Sequence, residues 1–218
     1  MNIELVVFDW DGTVVDSTLT IAEAIRQSCA DLGLPIPSLE EASYVIGLGL
    51  HDALAHVAPG LSPDQVLALT DRYRHHYLSR DQYLTPFAGM TRLLDDLRER
   101  QLPLAVATGK SRAGLERAFD ATQTRHYFAD SRCADESVPK PSPDMLLELC
   151  DAFSVRPQQV LMIGDTTHDI EMAHAAGAHA AAVTYGAHPL DRLEAARPLV
   201  IMNDVPSLSR WVLQTVSS

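Results

Sequence analysis

The fold is decided by a stretch near the amino terminus, residues 3–13, which reads Ile3-Glu4-Leu5-Val6-Val7-Phe8-Asp9-Trp10-Asp11-Gly12-Thr13. Apart from Glu4, its first six residues are apolar and several are β-branched, which is typical of a buried parallel strand. Asp9 and Asp11 follow at positions i and i+2, so both side chains project in broadly the same direction from the strand's carboxyl end. Gly12 then permits a tight turn. A calcium-binding EF-hand loop is excluded, because its glycine stands sixth in the loop, whereas here the glycine stands fourth.

Four further apolar runs have the same character, and helical patterns lie between them. The runs cover residues 102–107, 160–163, 180–183 and 199–202, and helices are expected over 91–100, 111–121, 143–153, 169–176 and 207–216. Strands that alternate with helices predict an α/β fold, a doubly wound Rossmann-like parallel sheet.

The segment from residue 17 to 82 breaks this alternation, since it has helical periodicity and no convincing strand. One helix is expected over 21–32. Capping boxes that begin at Ser38 and at Ser62 open two more helices, the second reaching about Leu78. The pattern predicts a small all-helical cap domain, residues 17–82, inserted after the first strand of an α/β core made of residues 1–16 and 83–218. Such an insert would cover the crevice where open α/β sheets bind ligands.

Composition limits the partners of the protein. The net charge is −12 and the pI is near 5.0, which disfavours nucleic acid and anionic membranes as partners. An anionic substrate would therefore need positive charge placed locally, from a metal or from single cations. Arginine supplies nearly all the basic side chains, and the chain has two lysines, Lys110 and Lys140. Because lysine is a compact point charge and arginine a planar fork, both lysines are candidates for a specific task.

The cysteines and the apolar segments indicate where the protein works. Cys29, Cys133 and Cys150 are scattered, odd in number and without CxxC spacing, so no disulfide framework is expected. The sequence has no signal-peptide pattern and no run approaching the roughly 20 apolar residues of a membrane span. We expect a cytoplasmic protein, monomeric or homodimeric.

Three more polar groups follow predicted core strands. Thr108 and Gly109 come after the second strand, where a helix begins and backbone N–H groups suit a phosphate. Lys140 lies in a loop that three prolines stiffen, Val138-Pro139-Lys140-Pro141-Ser142-Pro143. Asp165 and Asp169 follow the strand predicted at 160–163. The carboxyl ends of parallel strands would bring all of them together.

In this order the motifs resemble those of the haloacid dehalogenase superfamily, and most closely its phosphoglycolate phosphatase-like branch with a helical cap. The resemblance implies that Asp9 is a nucleophile that forms an aspartyl phosphate, and that Asp11 is the general acid and base. It implies that Thr108 and the N–H groups near Gly109 bind phosphoryl oxygens, and that Lys140 neutralises charge between Asp9 and the phosphoryl group.

The resemblance also implies a metal and a cap contact. Mg²⁺ would be held by Asp9, by the backbone carbonyl of Asp11 and by Asp165, with Asp169 ordering the shell of the metal. His51 lies where cap residues of this family reach the substrate, which makes it a candidate substrate-binding residue. The expected activity is Mg²⁺-dependent hydrolysis of a small phosphorylated metabolite, with 2-phosphoglycolate as the best guess.

Individual residues argue for or against the other activities known in this superfamily. Dehalogenases of the superfamily lack the second carboxylate, so Asp11 argues against that activity. Phosphonate-cleaving members use a cap lysine, and residues 17–82 contain none. Sugar phosphomutases usually have an arginine just after a glycine like Gly47, and here Leu48 follows, which disfavours that activity without excluding it. A pyrophosphatase also remains open, and so does a phospho-binding regulatory protein without catalysis.

Overall fold

The computed structural model describes residues 1–216, and a six-stranded parallel sheet forms its centre. In chain order the strands are β1 (Leu5–Phe8), β2 (Leu104–Thr108), β3 (Asp130–Cys133), β4 (Val160–Gly164), β5 (His179–Val183) and β6 (Val200–Met202). Across the sheet they run in the order β3-β2-β1-β4-β5-β6. Phe8 pairs with Val106 on one side and with Ile163 on the other. The carboxyl ends of the three central strands therefore finish at one edge of the sheet.

Ten α-helices surround the sheet or lie in the insert within residues 1–216. They are α1 (Thr18–Asp31), α2 (Leu39–Tyr44), α3 (Leu50–Val57), α4 (Pro63–Leu78), α5 (Met90–Glu99), α6 (Arg112–Thr122), α7 (Asp144–Phe153), α8 (Thr167–Ala176), α9 (Leu190–Ala195) and α10 (Val205–Thr215). None of these helices is both long enough and apolar enough to cross a membrane.

Apolar clusters cover both faces of the sheet, as expected for a doubly wound fold. Along β1, Val6 and Phe8 join the cluster that contains side chains of α5, α6 and α10. The alternate residues of the same strand, Leu5 and Val7, join the cluster that contains side chains of α7 and α8. The predicted Rossmann-like parallel sheet is confirmed.

Helices α1 to α4 lie between β1 and β2 in sequence and share a third apolar cluster, which includes Ile25, Leu54 and Leu69. The capping boxes expected at Ser38 and Ser62 are both present, each with the reciprocal bond from its partner three residues on. The two chain crossings lie side by side, since Asp16 N donates to the Thr85 carbonyl oxygen. These features support the proposed division into a cap and a core.

Several elements differ from the sequence prediction; helix α1 begins three residues earlier than expected, and helix α3 was not predicted. Strand β3 was not predicted, because Asp-Ser-Arg-Cys is polar and lies at the edge of the sheet, where only alternate residues are buried. Helix α9 was also not predicted; it has six residues and buries Leu193 alone. Helix α8 begins two residues earlier than expected, since Thr166 caps it by accepting a hydrogen bond from Asp169 N.

Candidate active site

Three buried carboxylates form a cluster at the carboxyl edge of the sheet. Asp9 follows β1 directly, Asp165 follows β4 directly, and Asp169 lies in the first turn of α8. One oxygen from each of them lies within 4.8 Å of the others. The pairing of β1 with β4 places Asp9 and Asp165 next to each other, so the fold itself brings these two together.

Lys140 is buried beside this cluster. Its Nζ atom lies 2.6 Å from Asp9 Oδ1 and 2.6 Å from Asp169 Oδ1. The other Asp169 oxygen, Oδ2, accepts hydrogen bonds from the backbone N–H and the hydroxyl of Thr166, at 3.0 and 2.7 Å. Lys140 therefore contacts the acidic group as a fixed cation, where the sequence placed it.

Asp165 is held by two donors that the sequence analysis did not identify. Its Oδ1 accepts from the Thr13 hydroxyl at 2.7 Å, and its Oδ2 accepts from the Ala187 backbone N–H at 2.7 Å. Glycines at 12 and 186 make room for this carboxylate, because a Cβ at either position would collide with it. Both donors fix the orientation of Asp165.

The cluster fits a divalent cation. Among the buried side-chain nitrogen and oxygen atoms of residues 1–216, Asp9 Oδ2 alone has no hydrogen-bond partner. Three carboxylates lie together, Lys140 contacts two of them, and oxygen ligands of this kind suit Mg²⁺. Burial raises the pKa of Asp9 to about 7, although the nearby Lys140 acts in the opposite direction. Burial and the negative charges of Asp9 and Asp169 also raise the pKa of Asp165 well above its ordinary value.

We expect the stability of the metal-free protein to depend on the proton that Asp9 takes up. Its pKa of about 7 lies above the ordinary value of 3.8, so this contribution is present in full at low pH and is lost as the pH rises through 7. In EDTA, the Asp9→Asn variant should therefore melt at a higher temperature than the wild type at about pH 8, with a smaller gap at about pH 5. Because the variant keeps every histidine, the difference between the two Tm values reports the acidic cluster that contains Asp9 and not the histidines. A gap that does not change with pH would contradict the assignment.

The carboxylate of Asp11 lies outside the acidic cluster. Its Oδ1 accepts a hydrogen bond from the Ser17 hydroxyl at 2.6 Å, and its Oδ2 lies 3.0 Å from Lys110 Nζ. Lys110 was not assigned a role from the sequence, and the signal that could have found it is the scarcity of lysine. The predicted metal contact of Asp11 through its backbone carbonyl stays a prediction.

Thr108 and Gly109 lie where the core meets the insert. Thr108 is buried, and its hydroxyl oxygen accepts from Lys110 N at 3.2 Å. A Cβ at Gly109 would collide with the carbonyl oxygens of Gly47 and Leu48, so only glycine allows this close approach. The insert loop therefore lies directly against the predicted phosphate-binding turn.

A cavity of about 510 Å³ lies between the core and the insert. Asp9, Asp11 and Thr108 line it from the core, and side chains of α1, α3 and α4 line it from the insert. His51 also lines it, but its side chain is 79% exposed and lies 3.6 Å from Asp52. The predicted substrate contact of His51 stays a prediction.

Two buried histidines that the sequence analysis gave no role join the core to helix α2. The Nε2 atoms of His168 and His188 each lie 2.9 Å from the backbone carbonyl oxygen of Tyr44. His188 Nδ1 accepts a hydrogen bond from Thr167 N at 3.0 Å, so its Nε2 carries the proton and donates to Tyr44. Burial lowers the pKa of His188 to about 4, which keeps this ring neutral.

Comparisons with known proteins agree with this geometry. A family described as haloacid dehalogenase-like hydrolase matches residues 6–183. A probable phosphatase, IndB of Dickeya dadantii, is 34% identical and aligns over 91% of this chain and 89% of its own. A phosphoglycolate phosphatase of Aliivibrio fischeri is 30% identical over 93% of both chains. The crystal structure of a predicted phosphoglycolate phosphatase from Haemophilus somnus is 25% identical, has a TM-score of 0.86, and covers 97% of this chain and 99% of its own.

The chain belongs to the haloacid dehalogenase-like hydrolase family. Within that family it is an enzyme of the phosphatase class, the class that the names of these relatives share. The resemblance drawn from the motifs is confirmed.

Proposed function

We propose that the protein is a Mg²⁺-dependent phosphomonoester hydrolase that carries the phosphoryl group on Asp9. One observation carries the proposal: among the described residues, Asp9 belongs to the acidic cluster and also lines the cavity. The cation and the substrate would therefore meet at this carboxylate. The buried Lys140 beside it would offset negative charge as the phosphoryl group arrives.

The proposed reaction has two steps. In the first, a carboxylate oxygen of Asp9 attacks phosphorus as the ester P–O bond breaks. Protonated Asp11 gives its proton to the leaving oxygen, so the products are an alcohol and an aspartyl phosphate. In the second, water attacks phosphorus while Asp11 takes a proton from that water. The bond to Asp9 breaks, phosphate leaves, and the Asp9 carboxylate is restored.

The metal, the phosphate-binding turn and the groups that orient Asp165 also have proposed parts in this reaction. Mg²⁺ would be held by Asp9, Asp165 and the backbone carbonyl of Asp11, with Asp169 ordering its shell, and would offset the charge between an anionic nucleophile and an anionic ester. Thr108 and the N–H groups near Gly109 would bind phosphoryl oxygens. Thr13 and the Ala187 N–H would keep Asp165 oriented through the hydrogen bonds described above.

The substrate is proposed to be a small phosphorylated metabolite, with 2-phosphoglycolate as the first candidate because relatives at about 30% identity carry that name. Residues 17–82 would act as a cap that closes over the ester and excludes water. The wall next to Gly47 is formed by Leu48, Gly49 and Leu50, with no arginine there, so a sugar phosphomutase remains the weaker proposal.

The test is hydrolysis of p-nitrophenyl phosphate by the purified protein in Mg²⁺ and in EDTA. We expect steady turnover with Mg²⁺, loss of turnover in EDTA, and recovery when Mg²⁺ is added back. A rate that EDTA leaves untouched would remove the metal from the proposal. No turnover of any phosphate ester would overturn the proposed function.

Replacement of Asp165 by asparagine should weaken Mg²⁺ binding, because one charged ligand is lost from a cluster that attracts the cation. The Mg²⁺ concentration for half-maximal activity should rise roughly tenfold or more, and the increase in Tm on adding Mg²⁺ should shrink. Asp151→Asn, an exposed position on α7, is the matched control and should change neither. Equal Mg²⁺ titrations for Asp165→Asn and the wild type would remove Asp165 from the metal site.

A further inference from the structure

Lys110 has no part in the proposed reaction, although the structure places it at the centre of the site. Its Nζ atom lies 3.0 Å from Asp11 Oδ2 and 2.7 Å from the Tyr77 hydroxyl oxygen. It also lies 4.7 Å from the centre of the Tyr77 ring, which stacks on Tyr73 of the same helix. Aromatic side chains of helix α4, in the insert, therefore pack against Lys110, which belongs to the core.

Among the described residues that line the cavity, Lys110 is the least exposed cation, with a side chain that is 9% exposed. The other basic side chains there are Arg74, Arg117 and His51, and all three are more than half exposed. Arg117 is moreover paired with Asp81 at 3.5 Å. Burial alone would lower the pKa of Lys110, but the carboxylate of Asp11 and the phenol groups above it raise that pKa beyond its ordinary value. The ammonium group stays charged at neutral pH.

Apart from the exposed Arg74 and His51, the cap wall offers little to a negatively charged leaving group. Side chains from α1 and from the segment before α3 that line the cavity are mostly aliphatic, and they include Ile21, Ile25, Val45, Ile46 and Leu48. A negatively charged substituent on the leaving group would be desolvated against these side chains unless it reached a cation. Lys110 is the least exposed cation that could receive it.

The position of Asp11 limits where such a substituent would lie. To protonate the leaving oxygen, Asp11 must come within hydrogen-bond distance of it, roughly 3 Å. Lys110 Nζ already contacts the Asp11 carboxylate. In an ester whose carboxylate is one carbon away from the ester oxygen, only two bonds separate that oxygen from the carboxylate carbon. The substrate carboxylate would therefore fall near Lys110 Nζ.

We propose that Lys110 selects the leaving group: it binds a carboxylate placed one carbon from the ester oxygen, and this carboxylate replaces Asp11 as the ion partner of Lys110. Asp11, protonated as the proposed reaction requires, would stay beside Lys110 and within reach of the leaving oxygen. The proposal rests on the proposed function and names the substrate class of the same site.

A series of three esters tests the proposal on the unmodified protein with saturating Mg²⁺. The esters are 2-phosphoglycolate, ethyl phosphate and O-phosphoethanolamine, whose leaving groups carry a negative charge, no charge and a positive charge. We expect kcat/KM to fall in that order, with a gap of roughly 10- to 100-fold between the first two. If ethyl phosphate is hydrolysed as well as 2-phosphoglycolate, the selection by Lys110 is overturned while the phosphatase function stands. If none of the three is hydrolysed, the proposed function itself fails, and this inference fails with it.

The variant Lys110→Met then tests whether Lys110 causes the preference for 2-phosphoglycolate over ethyl phosphate. The ratio of kcat/KM for 2-phosphoglycolate to that for ethyl phosphate should fall close to one, because methionine keeps the length of the side chain without its charge. Arg117→Met, which removes a cation that is exposed and paired with Asp81, should keep the wild-type ratio. As a second readout, calorimetry should show that Lys110→Met in an Asp9→Asn background binds 2-phosphoglycolate at least about tenfold more weakly than Asp9→Asn alone. An unchanged ratio, or equal binding in the two backgrounds, would overturn the proposal.

Discussion

Asp9→Asn should abolish hydrolysis of every phosphate ester that the protein accepts, by at least roughly four orders of magnitude in kcat. An amide oxygen is a poor nucleophile and cannot form the acyl phosphate, so the first chemical step is lost. The amide is also a weaker ligand for Mg²⁺ than a carboxylate. The variant should remain folded, because the amide oxygen introduced by the substitution could still accept a hydrogen bond from Lys140, whose Nζ lies 2.6 Å from Asp9 Oδ1 in the wild type.

The measurement is kcat for p-nitrophenyl phosphate and 2-phosphoglycolate, with circular dichroism and Tm to show that the fold is kept. Asp151→Asn is the control for the chemical change itself, since that carboxylate is exposed on α7 and far in sequence from Asp9. A folded Asp9→Asn protein with a tenth of the wild-type rate would show that Asp9 is not the nucleophile.

Removal of the ammonium group in Lys140→Met should have the second-largest effect, a fall in kcat of roughly 100- to 1000-fold or more. Lys140 Nζ contacts both Asp9 and Asp169, so its loss leaves negative charge at the point where an anionic ester must approach. The same loss makes the acidic cluster more negative. Affinity for Mg²⁺ should therefore rise as kcat falls, which is the opposite of the change expected for Asp165→Asn.

The variant Lys140→Arg tests whether the positive charge at position 140 is sufficient or whether the compact ammonium group is also needed. The lysine is fully buried between two carboxylates, and a planar guanidinium is larger and spreads its charge over a fork. We expect Lys140→Arg to recover more of the Tm than of the rate, because an ion pair can form without the compact ammonium geometry. Near-normal turnover in Lys140→Met would instead mean that Lys140 only balances the charge of the fold.

The residues of the acidic cluster could be placed from the sequence because each follows a short buried strand. The sequence predicted that both residues lie at the carboxyl edge of the sheet. The strand order, in which β1 pairs with β4 and brings Asp9 and Asp165 together, comes from the structure. Helices α2 and α4 of the insert were predictable for a similar local reason, since their capping boxes involve residues only three apart.

Contacts between distant segments could not be predicted in this way. Lys110 and Tyr77 are 33 residues apart, and their contact depends on how α4 lies against the turn after β2. The backbone N–H of Ala187 donates to Asp165 from a loop in which Gly186 is the one local signal of a close contact. Strand β3 was not predicted because half of its side chains are polar and only partly buried. Each of these features depends on tertiary packing, which no local sequence pattern predicts.

The central claim is that the phosphoryl group passes through Asp9, and trapping that intermediate tests it most directly. The protein is mixed with a phosphate ester labelled in its phosphoryl group and quenched in acid within the first turnover, and the peptide that contains Asp9 is then isolated. We expect label on this peptide that hydroxylamine releases, as it does from acyl phosphates, and no label on the Asp9→Asn variant. Steady hydrolysis with no label on that peptide at any quench time, or label on another residue, would contradict the claim.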